Sequence, residues 1–213
     1  MGKRKRCISK KVNAVGAIKA TPHLHKKEIP ASEMAKAEFD VIGLGLYKKY
    51  FGDVGANFDM MLHGQPGAGK TYFLLGFANW WANNIGKVLF ASNEEFGTVT
   101  LTQKINETKA LSRNLFFIDT YKKANLDDYT LLIVDSLNNG GVTIEDYKQL
   151  RIKHPNIATI SILQKTKKGD FRGGKDWEHE MEIAAELQKD AKSGGRFIEV
   201  YKNRYGVLGK NKI

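Results

Sequence analysis

The chain has 213 residues, 42% hydrophobic and 27% charged, with a net charge of +11, the size and balance of one globular domain with a short appendage. No apolar run approaches the ~18 residues of a membrane span, the single cysteine, Cys7, has no intramolecular partner, and no Cys/His cluster has metal-ligand spacing. Membrane, disulfide-stapled and zinc-module classes therefore drop out, and a cytoplasmic protein is expected. The charge is uneven: residues 1–30 hold nine Lys/Arg against one acid, Glu28. Such a stretch has too few large apolar side chains to offset its ordering entropy, so residues 1–35 read as an extended basic arm and 36–213 as the folded domain. The arm serves either solubility or an acidic partner such as nucleic acid.

Residues 29–55 are the least legible, with Phe39, Val41, Ile42 and Leu44 expected to pack beside a ligand site. From Phe58 onward short apolar runs alternate with helical patterns, the rhythm of a parallel sheet covered by helices. Strands are predicted at 58–63, 87–92, 114–120, 130–136 and 157–163, with helices at 70–84, 97–108 and 143–153 between them. Thr143 with Asp146 makes a capping-box pattern at the last helix. A sixth strand, 196–202, is expected to form a C-terminal hairpin with 205–208. The predicted fold is α/β: three layers around a mostly parallel sheet.

The segment Gly64, Gln65, Pro66, Gly67, Ala68, Gly69, Lys70, Thr71 matches G-x-x-x-x-G-K-[ST], a pattern that arises by chance in about one chain in a hundred of this length. It follows an apolar strand and opens a helix. The chemistry needs that placement, because glycines let backbone N–H groups approach phosphate oxygens and a helix N-terminus favours an anion. Lys70 is then expected on the β- and γ-phosphates of ATP, Thr71 on Mg²⁺, and Tyr72 in the cradle's first helical turn. Asp135 closes the apolar run LLIV, where a charge is costly unless it meets a cation, so it is the second expected Mg²⁺ ligand. Glu94 and Glu95 follow the neighbouring strand. One of them, Glu94 slightly favoured, is expected to orient or deprotonate the attacking water. Gln164 ends another strand and is a candidate γ-phosphate sensor.

VLFASNEE, LLIVDSLN, ISILQKTKKGDFRGGKDWEH and GRFIEVYKNRYG, in this order, resemble the RecA-type ATPase family, most closely the ATPase core of the bacterial RadA (Sms) recombination proteins, which are related to DnaB-type helicase motors. The resemblance spans roughly residues 36–208 and implies a RecA-like P-loop fold, a homo-oligomeric ring or filament, and ATP hydrolysis between protomers. It also implies that the Lys-Asn-Arg-aromatic-Gly motif at Lys202, Asn203, Arg204, Tyr205 and Gly206 supplies cations to a neighbour's nucleotide, with Lys202 and Arg204 as the candidates. The loop after Gln164, with Lys167, Lys168, Phe171, Arg172 and Lys175, is where that class meets single-stranded DNA; cations for phosphates and an aromatic for stacking suit this. RadA proteins also carry a zinc-binding Cys cluster and a protease-like domain, and neither is read in these 213 residues. A regulator acting on protein, as in the KaiC-type branch, and a DNA-packaging or mobile-element motor are the alternatives.

Overall fold

A computed structural model describes residues 28–137, 141–164, 176–191 and 193–213. At its centre is an eight-stranded sheet, formed by β3 (Asp59–Gly64), β4 (Val88–Ser92), β5 (Leu115–Ile118), β6 (Leu131–Asp135), β7 (Ala158–Gln164), β8 (Ile183–Lys189), β9 (Arg196–Asn203) and β10 (Gly209–Lys212) in the order β10-β9-β8-β3-β7-β6-β4-β5. Strands β3 to β8 run parallel, β9 pairs antiparallel with β8, and β10 pairs antiparallel with β9. A small antiparallel pair, β1 (Val41–Gly43) and β2 (Asp53–Gly55), precedes it, along with the exposed turn α1 (Ala31–Met34) and the short α2 (Lys48–Phe51). The three longer helices are α3 (Lys70–Asn84), α4 (Val99–Thr108) and α5 (Ile144–Lys153); α6 (Asp176–Glu180) is a single turn and a half.

The inner strands β4 and β6 read as continuous apolar runs because both faces are covered. Along β6, Leu131 and Ile133 join the core on the α3 side, while Leu132 and Val134 join the core on the α5 side. The first core is built on Trp81, Phe77, Leu74 and Leu75 of α3 with Phe58 and Phe51; the second gathers Met61, Leu89, Tyr147, Leu150 and Trp177. The predicted helix and strand positions hold to within one or two residues. Thr98 caps α4 by accepting from the Leu101 N–H, and the Thr143/Asp146 capping box forms in full.

Three expectations are corrected. The hairpin partner of β9 is β10 at Gly209–Lys212 and not 205–208, because Asn203 organises those residues as a turn: its Oδ1 accepts from the Tyr205 N–H and its Nδ2 donates to the Val207 and Phe51 carbonyls. Strand β8 was not anticipated. Its sequence, IAAELQK, is rich in helix formers, and it is extended because β3 and β9 pair with it on either side. Of the early apolar residues, Ile42 and Leu44 enter the α3-side core with Tyr47 and Phe73, but Phe39 and Val41 are exposed. Among the described residues no helix is long and apolar enough to cross a membrane.

Candidate nucleotide site

Strand β3 delivers the chain to the loop 64–69, and α3 carries it away. Gly64 has φ 150°, and a Cβ there would stand 2.2 Å from the Leu187 carbonyl oxygen of β8, so only glycine lets the loop start this close to the sheet. Gly69, at φ 98°, is the left-handed N-cap of α3. The loop closes a turn through Ala68 N–H to Gln65 O, with Ala68 buried beneath it and Gln65, Pro66 and Gly67 exposed. The exposed rim and the unpaired N–H groups of the first helical turn together make an anion site.

Lys70 donates to the Gly64 carbonyl at 2.8 Å and the Gln65 carbonyl at 3.1 Å, which holds its ammonium over the loop. Burial lowers its pKa, and the charges of Asp135 and Glu94 oppose that shift. Thr71, one residue on, donates its hydroxyl to Asp135 Oδ2 at 2.9 Å, joining the helix start to the end of β6. Burial pushes the Asp135 carboxyl up to about 6, Glu95 and Glu94 push it the same way, and the Thr71 hydrogen bond and Lys70 pull against them. A half-buried carboxylate with raised pKa beside a hydroxyl is a site that a cation would stabilise. Among the described residues no group of three or more His, Cys, Asp or Glu could hold a metal. Mg²⁺ needs no such cage: it takes one or two protein oxygens, keeps waters and binds phosphate, so the Thr71–Asp135 pair fits it.

The carboxylates after β4 are brought to the same edge. Asn93 fixes that turn by donating its N–H to Asp135 O and its Nδ2 to Ser136 O, both at 3.1 Å. Glu95 is engaged by Lys104 of α4, with Nζ at 2.5 and 2.7 Å from its two oxygens. Glu94 acts electrostatically on both Lys70 and Asp135. Tyr72 turns toward α4, donating its hydroxyl to Glu107 at 2.6 Å.

No protein-family model matches the chain. Curated relatives do: the DNA repair protein RadA of Campylobacter jejuni is 29% identical over 174 residues, covering 72% of this chain and 38% of that protein. The RadA proteins of Mycolicibacterium smegmatis and Aquifex aeolicus are 27% and 28% identical, over 69% and 71% of this chain and 36% and 38% of theirs. Solved structures align over more of their own length. The flagellar accessory protein FlaH from Methanocaldococcus jannaschii has TM-score 0.63 at 15% identity, covering 83% of this chain and 99% of that one. A second solved structure, of an ATPase domain, has TM-score 0.57 at 13% identity, covering 85% of this chain and 90% of that one. The fold is RecA-like, and the sequence resembles RadA. This chain spans under two fifths of the length of those three RadA relatives.

In this RecA-like frame the remaining predicted residues separate. Gln164 closes β7 in register with Gly64, between the loop and β6; its side chain lies outside the described residues. So do Lys167, Lys168, Phe171, Arg172 and Lys175. The 202–206 motif sits at the other edge of the sheet. Lys202 and Asn203 pair with Ala184 and Ile183, and Ile183 pairs with Met60, four residues before Gly64 on β3. That separation is about 13 Å along the strands. Lys202 donates to the Glu178 and His179 carbonyls at the end of α6, Asn203 organises the turn, and Tyr205 donates to Glu182 at 2.7 Å. Arg204 is exposed, with no side-chain hydrogen bond or ion pair among the described residues.

Sequence reasoning missed three contributors: Asn93, which ties β4 to β6; Lys104, which engages Glu95; and Arg196 at the start of β9, whose side chain lies against Gly69. Arg196 had a visible signal, a cation opening a strand. It becomes meaningful only once β9 is known to run antiparallel beside β8, which brings that end to the loop.

Proposed function

We propose that the chain binds and hydrolyses ATP with Mg²⁺ at interfaces between identical protomers, and that it acts on single-stranded DNA in recombination, repair or replication. The observation that carries the reading is the Thr71–Asp135 hydrogen bond beside Lys70. It unites a phosphate cradle, a cation and a pair of hard oxygen donors at one point.

The proposed roles follow from position. The loop N–H groups and Lys70 bind the phosphates and stabilise charge on the transferring phosphoryl group. Thr71 and Asp135 would hold Mg²⁺, which when bound neutralises phosphate charge. Glu94, whose charge acts on both Lys70 and Asp135, orients and deprotonates water. Gln164 reports the γ-phosphate to the basic loop that follows it. Lys202 and Arg204 lie at the far edge from their own cradle, so any nucleotide they serve belongs to a neighbour. Of the two, the exposed Arg204 is the better finger.

DNA is favoured as the substrate by the five cations of residues 165–175, the basic first 30 residues and the repair role in the relatives' names. The test is ATPase activity of the full chain with and without single-stranded DNA. Stimulation is expected, with loss in a Lys167→Ala, Lys168→Ala, Arg172→Ala triple variant and retention at saturating DNA when residues 2–28 are deleted. Hydrolysis indifferent to DNA would move the reading to a protein-directed regulator.

A further inference from the structure

The carboxylates assigned to the metal and to water, Asp135, Glu94 and Glu95, lie on one side of the cradle. Across the sheet edge where the loop sits, the order is β9, β8, β3, β7, β6, β4. Asp135 closes β6 and Glu94 and Glu95 follow β4, so these three carboxylates stand to one side of β3. A nucleoside triphosphate whose terminal phosphate points that way must extend its nucleoside end to the other side, toward β8 and β9.

Arg196 stands there. It opens β9, paired with Lys189 at the end of β8. A Cβ on Gly69 would be 3.1 Å from its Nε, 3.2 Å from its Cδ and 3.3 Å from its Cζ, so the guanidinium end occupies the space that glycine leaves at the N-cap of α3. The residue is exposed, and its side chain makes no hydrogen bond or ion pair among the described residues. Its charge reaches the Tyr72 hydroxyl, where it works against the upward pull of Glu107. A guanidinium is planar, always charged and weakly hydrated, and stacks on aromatic rings as an ammonium does not.

We propose that Arg196 receives the base of the bound nucleotide from its own chain, stacking its guanidinium plane on the ring, and so distinguishes a nucleotide from a bare polyphosphate. The proposal rests on the P-loop reading, yet it concerns the end of the ligand that the P-loop does not touch. It gives Gly69 a second constraint beside its left-handed φ, since a side chain there would push Arg196 out of line.

The experiment measures binding of 2-aminopurine riboside triphosphate to the full chain by fluorescence, with ATP and inorganic tripolyphosphate as competitors. The expected result is base quenching on binding, a loss of about tenfold in nucleotide affinity for Arg196→Ala, and tripolyphosphate affinity within about twofold of wild type. Arg196→Lys keeps the charge without the plane and is expected to behave like Arg196→Ala. Unchanged melting temperatures are expected for both, because the side chain is exposed. Equal losses for nucleotide and tripolyphosphate would make Arg196 a phosphate cation and overturn the proposal, as would unchanged nucleotide affinity. Failure of the P-loop reading looks different: Lys70→Ala would then bind both competitors like wild type.

Discussion

Thr71 and Asp135 are 64 positions apart in the chain and share a hydrogen bond of 2.9 Å. That bond requires the loop to enter α3 at Gly69 and β6 to end beside it, so the site depends on sheet order as much as on the motif. Lys70→Ala and Asp135→Ala are both expected to abolish ATP turnover, measured as phosphate release. Normal turnover in either would remove the assigned chemistry.

Asp135→Asn should separate catalysis from stability. The Asp135 pKa lies at about 6 in the folded chain against an ordinary 3.8, so the folded state holds the proton more tightly than the unfolded one. The stability this confers is full below pH ~4 and is lost as pH rises through about 6. Asparagine keeps an acceptor for Thr71 and removes the buried charge. In the absence of divalent ions the variant is expected to match wild type near pH 4 and to exceed it at pH 8 by on the order of 1–3 kcal/mol in chemical denaturation, while losing Mg²⁺-dependent turnover. A wild type more stable than the variant at pH 8 would contradict the burial argument.

Glu94 acts on Lys70 as well as Asp135, whereas Glu95 is held by Lys104. Glu94→Gln is expected to retain ATP binding and to lose hydrolysis by about a hundredfold or more, the scale of a lost general base. Glu95→Gln and Lys104→Ala break the same ion pair and are expected to give similar losses to each other, within about tenfold of wild type. The reverse ranking in single-turnover assays would assign the base to Glu95.

Lys202 and Arg204 should differ in kind. Arg204→Ala is expected to leave melting unchanged and to cost about 10³ to 10⁵ in hydrolysis if it acts as a trans cation. Lys202→Ala frees the α6 carbonyls it binds, and is expected to lower stability by about 1–2 kcal/mol as well. Mixing Arg204→Ala with Lys70→Ala protein should recover part of the turnover, because some interfaces then pair an intact cradle with an intact finger. Absence of recovery, with full activity in a dilute monomer, would exclude a shared site.

The loop glycines provide a structural control. Gly64→Ala places a Cβ 2.2 Å from the Leu187 carbonyl oxygen at φ 150°, a clash with backbone that neither strand can relieve alone, and is expected to destabilise the fold by more than about 3 kcal/mol. Gly67→Ala meets nothing within 4 Å and bears only its φ of 76°, for a cost of about 1–2 kcal/mol. Equal melting temperatures for the two variants would count against the close approach of β8 to the loop.

The amino-acid sequence alone determined the glycine-rich loop that opens α3, the apolar strand that ends at Asp135 and the alternation of strands with helices. Those signals are local: an apolar run ending at Asp135, a glycine pattern opening a helix, and a capping box at Thr143 are each written within a few consecutive residues. Tertiary structure decided what depends on pairing. Strand β8 carries a helix-forming composition and is extended only because β3 and β9 flank it; β10 is GKNK, with no apolar period to read. Lys104 reaches Glu95 across from α4, and Lys202 meets the carbonyls at the end of α6. Arg196 reached the cradle through the antiparallel run of β9. In each case the deciding partner is distant in the chain or on another element, so no window of neighbouring residues contains it.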